Sequence, residues 1–391
     1  MKYHLLAAIM LMATQMPGQR YWIVDSVNPV GADFTDLPPA VAAAAHGDTI
    51  LIRGSYGLSG TDINKAVNIA QLGPGQGLGF LGDVSIHGIP AGMRCSLLGT
   101  SSALINKRIK LDIYDNQGSV VLDRMTADVR RISNSAHVVI RVGTSNAIEI
   151  TNSNVALHDT NVSGSRILGL PMAIKLTNSS LTLVDSAVRG ADADWLPFPY
   201  CQVLAQAAPG IVSVDSNIVV TGLQYTPTGG VMIDASGWCN FNYIAPGIDA
   251  TRGTLTVHAG MSNTPTIVGT ATVRTKYSPP LLLDEFPFAD ARSVRLTTLG
   301  PTGSFVALLA SVPMPPVDTG IGLLWMDPAY LLTLVVGQID ASSKYSLATT
   351  LGPNIPPGFP VMFQSVVLTP KLEIVLSSPT VRMALGTGKK P

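Results

Sequence analysis

Residues 147–164 read Ala-Ile-Glu-Ile-Thr-Asn-Ser-Asn-Val-Ala-Leu-His-Asp-Thr-Asn-Val-Ser-Gly, and residues 173–190 return without a gap as Ala-Ile-Lys-Leu-Thr-Asn-Ser-Ser-Leu-Thr-Leu-Val-Asp-Ser-Ala-Val-Arg-Gly. About half of the aligned positions are identical, at a period of 26 residues. A third copy of the pattern, with the same polar corner between two short apolar runs, is Gly210-Ile-Val-Ser-Val-Asp-Ser-Asn-Ile-Val-Val-Thr-Gly222. An earlier one is Ile132-Ser-Asn-Ser-Ala-His-Val-Val-Ile140. Each copy reads as strand, tight turn, strand, with alternate side chains directed inward. One such unit cannot bury its own apolar side. Stacked units can, because each strand pairs with its counterpart in the next coil about 4.8 Å away, enclosing one continuous core. The corners fall at Asn134, Asn152 and Asn178, a residue type that tolerates left-handed backbone and can hydrogen-bond to its own kind along a stack, so these asparagines read as structural. An antiparallel sandwich would not require near-identical copies at fixed phase.

Working outward, the whole chain agrees with a strand-and-turn architecture. It has 391 residues, 37 of them Gly and 28 Pro, and helical periodicity is nearly absent. Charged residues make up only 13%, and 25 Lys+Arg balance 25 Asp+Glu, so no global field favours a polyanion and nucleic acid is excluded as the main partner. The one helix expected is short, Leu37–Ala45, with Asp36 as N-cap and two prolines in its first turn. Residues 1–19 place one lysine before the apolar run Leu5–Ala13, too short to span a bilayer, and read as a secretory signal. The other long apolar stretch, Ile321–Gly337, is cut by Asp327-Pro328, so no membrane span is expected and the mature protein is placed outside the cytoplasm, secreted or at the cell surface.

Residues 33–57, Asp-Phe-Thr-Asp-Leu-Pro-Pro-Ala-Val-Ala-Ala-Ala-Ala-His-Gly-Asp-Thr-Ile-Leu-Ile-Arg-Gly-Ser-Tyr-Gly, resemble the opening segment of right-handed parallel β-helix proteins of the pectin-lyase-like superfamily. The resemblance implies an all-β fold: a parallel β-helix over residues 20–277 whose first coil is covered by a short N-terminal helix. After Tyr277-Ser-Pro-Pro280 the repeat stops, and residues 281–385 show hairpin-like apolar pairs separated by prolines, expected to form a small β-sandwich-like domain. Phe305–Ser311, Leu323–Pro328 and Gly337–Gly352 are similar to a C-terminal module of secreted bacterial proteins, which implies secretion and an accessory role.

Two segments interrupt the coils, Ala191–Gln202 and Ser236–Tyr243, each with one Trp, one Phe, one Tyr and one Cys in a chain that is only 6% aromatic. If both leave the same flank, Cys201 and Cys239 can bridge them in an oxidising compartment. Trp195, Tyr200, Trp238 and Tyr243 would then stand beside Asp192 and Asp194 as a surface for polysaccharide or cell-envelope glycan, rings stacking on CH groups and polar side chains meeting hydroxyls. The bland alternative is a satellite core under the loops. For catalysis the candidates are Asp192 and Asp194 with Arg189, or Asp159 with Asp185 at equivalent repeat positions; a glycosidase needs two carboxyls about 5–9 Å apart. The acid-and-arginine clusters that the resemblance would imply for β-helix lyases and polygalacturonases do not stand here as a set, and Arg108-Ile-Lys110 matches one element alone. A non-catalytic binding protein is therefore the expectation, with an atypical polysaccharide lyase or glycoside hydrolase as the alternative. No metal site is expected from three scattered cysteines and six scattered histidines, and no cofactor, since Gly77-Leu-Gly-Phe-Leu-Gly82 precedes a strand rather than a helix.

Overall fold

The computed structural model describes residues 20–54, 58–71, 82–99, 109–124, 127–165, 170–196, 202–221, 227–229, 231–233, 242–258, 265–276, 279, 281–285, 293–352, 355, 359–377 and 379–383. Up to residue 276 the chain winds as a parallel β-helix: its coil strands join one sheet of 19 strands, every neighbouring pair parallel. They form two long ladders and a short one. The first ladder runs from Tyr21–Asp25 through Thr49–Gly54, Arg94–Leu98, Ser119–Asp123 and the start of His137–Ser145 to Thr272–Lys276. The second runs from Thr61–Ile63 through Val84–His87, Ile109–Tyr114, Ala127–Ser133, Ile148–Thr151 and Ile174–Thr177 to Ile267–Gly269. The short one joins the ends of His137–Ser145 and Asn154–Ser163 to Ala187–Arg189.

Inward positions stack in register. Ile50, Ile69, Leu97, Leu122, Ile140, Leu157, Leu183, Val220 and Val257 succeed one another across the coils, all buried in one apolar column. The helix α1, Leu37–Ala43, covers the first coil with Leu37, Ala40 and Val41 and ends two residues earlier than the sequence suggested. Asp36 caps its N-terminus, and the Lys65 ammonium donates to the carbonyls of Val41, Ala42 and Ala44, which its C-terminus leaves unpaired. Asp48, buried at the next turn, accepts from the Ala45 amide and the Trp22 indole and ties helix, first strand and second strand together.

The smallest coil is shorter than the repeat in the sequence. Ile132 pairs with Ile150, eighteen residues on, whereas Ile148 pairs with Ile174 at 26 and Ile174 with Ile211 at 37. The additional residues are excursions from one corner, between the short ladder and the second ladder: 164–173, 190–210 and 229–247. Each is pinched at its neck. A Cβ on Gly190 would lie 2.0 Å from the Ala208 carbonyl oxygen and one on Gly229 2.0 Å from that of Ala245, so only glycine lets the two ends meet.

Beyond residue 280 the chain forms antiparallel sheets. Leu281–Glu285, Ser293–Leu299 and Lys344–Thr350 make one. Leu332–Gln338, Phe305–Ser311, Pro360–Leu368, Ile374–Leu376 and Thr380–Met383 make a second, and Pro313–Asp318 with Leu323–Met326 a two-stranded third. Val294, Leu296, Val306, Leu308, Phe363 and Val367 are buried in a core of their own. The outer face of the five-stranded sheet, together with the strand Leu323–Met326, lies on the outer face of the first ladder as far as Asn154–Ser163. Leu51, Ala70, Leu98, Val121, Val139 and Ala156 of the solenoid are buried with Leu309, Trp325, Met326, Met362 and Val381. Residues 1–19, the expected signal, lie outside the described residues.

Candidate functional site

The C-terminal lobe covers the first ladder as far as the strand Asn154–Ser163, and the surfaces left to a ligand include the open second ladder and the corner that carries the excursions. Two excursions fold as antiparallel hairpins. Asp194–Leu196 pairs with Gln202–Ala205, and on the next coil Val231–Ile233 pairs with Asn242–Ile244. Their necks are linked: the Ala191 amide donates to the Pro171 carbonyl of the excursion before it, and the Gly190 amide to the Thr228 carbonyl of the coil after it. Both segments singled out for their aromatic content thus leave one flank on consecutive coils.

Trp195 and Tyr243 sit on these hairpins by their backbone, opposite Val203 and Met232. Their side chains, together with Tyr200, Trp238 and both partners of the expected Cys201–Cys239 bridge, lie outside the described residues. Cys95 is a free thiol buried in the solenoid core, where burial pushes it up to about 12, so it is not a nucleophile at neutral pH.

Arg189, at the end of the short ladder, donates from one Nη to both carboxylate oxygens of Asp192 at 2.9 Å. Both side chains are about half exposed, at 53% and 52%, so the bond is a surface ion pair worth roughly 0.2–1 kcal/mol. Asp194 is exposed on the first hairpin strand, without the apolar enclosure on which a glycosidase acid depends. Asp159 and Asp185 are not part of this flank. They turn the chain between the first ladder and the short one in left-handed backbone, at φ 48° and 44°.

The asparagines have the structural role expected of them. Asn134, Asn152 and Asn178 adopt φ of 48–49°, Asn152 donates to Asn134 at 3.1 Å, and Asn134 donates to Asp115 at 2.9 Å. The next residue in each copy makes a second, buried ladder that the sequence reading missed. The amides of Ser135, Ser153 and Ser179 donate to the hydroxyls of Ser153, Ser179 and Ser216, and each of the three accepting hydroxyls donates to a carbonyl two residues back on its own strand. The sequence signal is Asn-Ser or Asp-Ser recurring at 134–135, 152–153, 178–179 and 215–216. A signal for the hairpins was also present: Ala-Pro-Gly-Ile occurs at 208–211 and again at 245–248, marking the return of each excursion.

The outer face of the second ladder is polar. Asp62 accepts from the Ser85 hydroxyl and, at 2.9 Å, from the His87 ring. Its burial alone would raise the carboxyl, but these bonds outweigh it and hold it below its ordinary value. Arg130 bridges Asp83 and Asp112, and Lys175 pairs with Glu149 on the neighbouring strand. The His87 ring stacks on Tyr114 at 4.9 Å and the Arg131 guanidinium lies 6.0 Å from the centre of the Tyr114 ring. Tyr114 is engaged by neighbours from its own ladder, so this stack reads as a rib along the solenoid and not as a platform for a sugar. Among the described residues no three His, Cys, Asp or Glu side chains gather as a metal site, and no helix is long and apolar enough to cross a membrane. Gly82 is followed by the strand Val84–His87, as the reading against a dinucleotide loop required, while Gly77 and Gly79 lie outside the described residues, as does Arg108; Lys110 is on the strand Ile109–Tyr114.

No protein-family model and no curated protein matches the sequence.

Proposed function

We propose that this chain is a secreted or surface-exposed β-helix protein that binds glycan or other envelope material on its excursion flank without cleaving it. The observation that carries the reading is positional. The two segments in which the sequence concentrates Trp, Tyr and Phe are raised from one corner on successive coils, while the first ladder is occupied by the C-terminal lobe as far as the strand Asn154–Ser163. Aromatic residues close in sequence to Arg189, Asp192 and Asp194 suit a chain of hydroxylated rings. The short apolar segment at 5–13 supports export, and the opening segment 33–57 supports kinship with the pectin-lyase-like superfamily.

The competing reading, an atypical lyase or hydrolase built on Asp192, Asp194 and Arg189, is weakened by the ion pair that engages Asp192 at the surface. One experiment separates the two. The chain is incubated with a polysaccharide panel, with and without calcium, and bound polymer, unsaturated products and new reducing ends are measured together. Retention of a polymer without release, lost in Trp195→Ala and Trp238→Ala, supports binding. Release abolished by Asp194→Asn would replace it with the enzyme.

A further inference from the structure

The seam between solenoid and C-terminal lobe holds more charge than its apolar character predicts. One outward row of the first ladder is Arg94, Ser119 and His137 on successive strands. Another is Asp123, Arg141 and His158. Asp123 accepts from Arg141 at 3.0 Å, and the Arg124 guanidinium lies 4.0 Å from the same carboxylate. His137 is fully buried; its Nδ1 meets the Ser119 hydroxyl at 3.1 Å, its ring lies 5.8 Å from that of Trp325, and its Nε2 has no partner. The Arg94 guanidinium sits over the Phe359 ring at 4.6 Å. His158 is 3% exposed beside Arg141 and Val184, with the Pro379 carbonyl facing its ring. Tyr21 packs against the same seam, where burial raises its phenol above the ordinary value. Among the described residues the two imidazoles thus lie buried in these rows, His158 directly beside the Arg141 guanidinium.

We propose that the seam is an acid-sensitive latch: protonation of His137 and His158 releases the C-terminal lobe from the outer face of the solenoid while the coils stay stacked. A proton on either ring places charge where water does not reach, and on His158 it places that charge beside the Arg141 guanidinium. Release lets both rings be hydrated and exposes Leu51, Leu98, Val121 and Val139. Burial pushes His137 down to about 4, and burial with the positive charge of Arg141 and of His137 pushes His158 down to about 3. The sign follows directly. Both histidines are neutral and docking is complete above the ordinary value of about 6.5, and docking weakens as pH falls from there toward the docked values. Within that window each histidine moves the equilibrium up to about tenfold per pH unit toward release, and both together up to about a hundredfold.

The test uses the full chain between pH 7.5 and 3.5, following the radius of gyration by small-angle scattering, binding of 1-anilinonaphthalene-8-sulfonate, and far-ultraviolet circular dichroism. The expected result is expansion and dye binding below about pH 6, with the β signal retained and everything reversed at pH 7.5. His137→Phe with His158→Leu shifts the transition at least one unit lower, and the solvent-facing control His87→Gln leaves it in place. Should the double variant fail to fold, the imidazole C2 proton signals of the unaltered chain decide: neither buried ring titrates while the molecule remains compact. A chain still compact at pH 4, a transition unmoved in the double variant, or either buried histidine titrating near 6.5 in the compact state would each overturn the latch.

Discussion

Arg141–Asp123 and Lys175–Glu149 are the same kind of ion pair, joining adjacent coils of one solenoid, yet they lie in opposite surroundings. The first is on the covered ladder with side chains 4% and 0% exposed. The second is on the open ladder with 44% and 38%. The contrast extends along both surfaces. Outward positions on the covered side include Leu51, Ala70, Leu98, Val121 and Val139, whereas those on the open side are Asp62, Ser85, Asp112, Arg131, Glu149 and Lys175. A solenoid has no inherent front or back, so the character of its outward residues decides which side takes a partner within the chain and which faces water.

The sharpest way to break this contrast is to remove one partner from each pair. Asp123→Ala removes the buried carboxylate that accepts from Arg141 under the lobe and is expected to cost about 3–5 kcal/mol, read by guanidinium chloride unfolding. An effect under 1 kcal/mol would mean that the seam admits water. The inward positions should not share the asymmetry. Leu157, behind the covered side, and Leu176, behind the open side, belong to one core, and truncating either to Ala is expected to lose a similar amount, about 2–5 kcal/mol. Unequal losses would show that lobe docking also tightens the interior. Ser153 stands at the corner between the two ladders, and Ser153→Ala leaves the buried Ser135 amide without its acceptor, for about 1–3 kcal/mol by the same measurement. The smallest effect belongs to Lys175→Ala, below about 1 kcal/mol and fading with added salt.

The coil architecture was readable because identical phase in residues 147–164 and 173–190 leaves few other ways to bury both copies. The corner asparagines were readable for the same reason, since Asn is among the few residues suited to their backbone. The covered side was not read, although its trace is present. Val120-Val-Leu122 and Val138-Val-Ile140 are continuous apolar runs where a half-buried strand would alternate, and such runs mark strands enclosed on both faces. Coil length was misjudged because the clearest repeat already contains an excursion of eight residues beyond the eighteen that a turn of this solenoid requires. For the candidate flank, composition located the two segments, but their exit from one corner follows from the coil-to-coil register of strands 37 residues apart, which no local pattern encodes.

The glycine-pinched necks have a consequence for how such a protein can change. Because each excursion departs and returns within hydrogen-bond reach, its length is invisible to the strands above and below: Ile174, Ile211 and Ile248 stack in register across two intervals of 37 residues, just as Ile132 and Ile150 do across 18. Lengthening a closed loop costs only about 0.6 kcal/mol per doubling. Each neck therefore works as a socket, and the segments held in it can be exchanged, extended or deleted one at a time, diversifying what the molecule recognises without renegotiating how it folds.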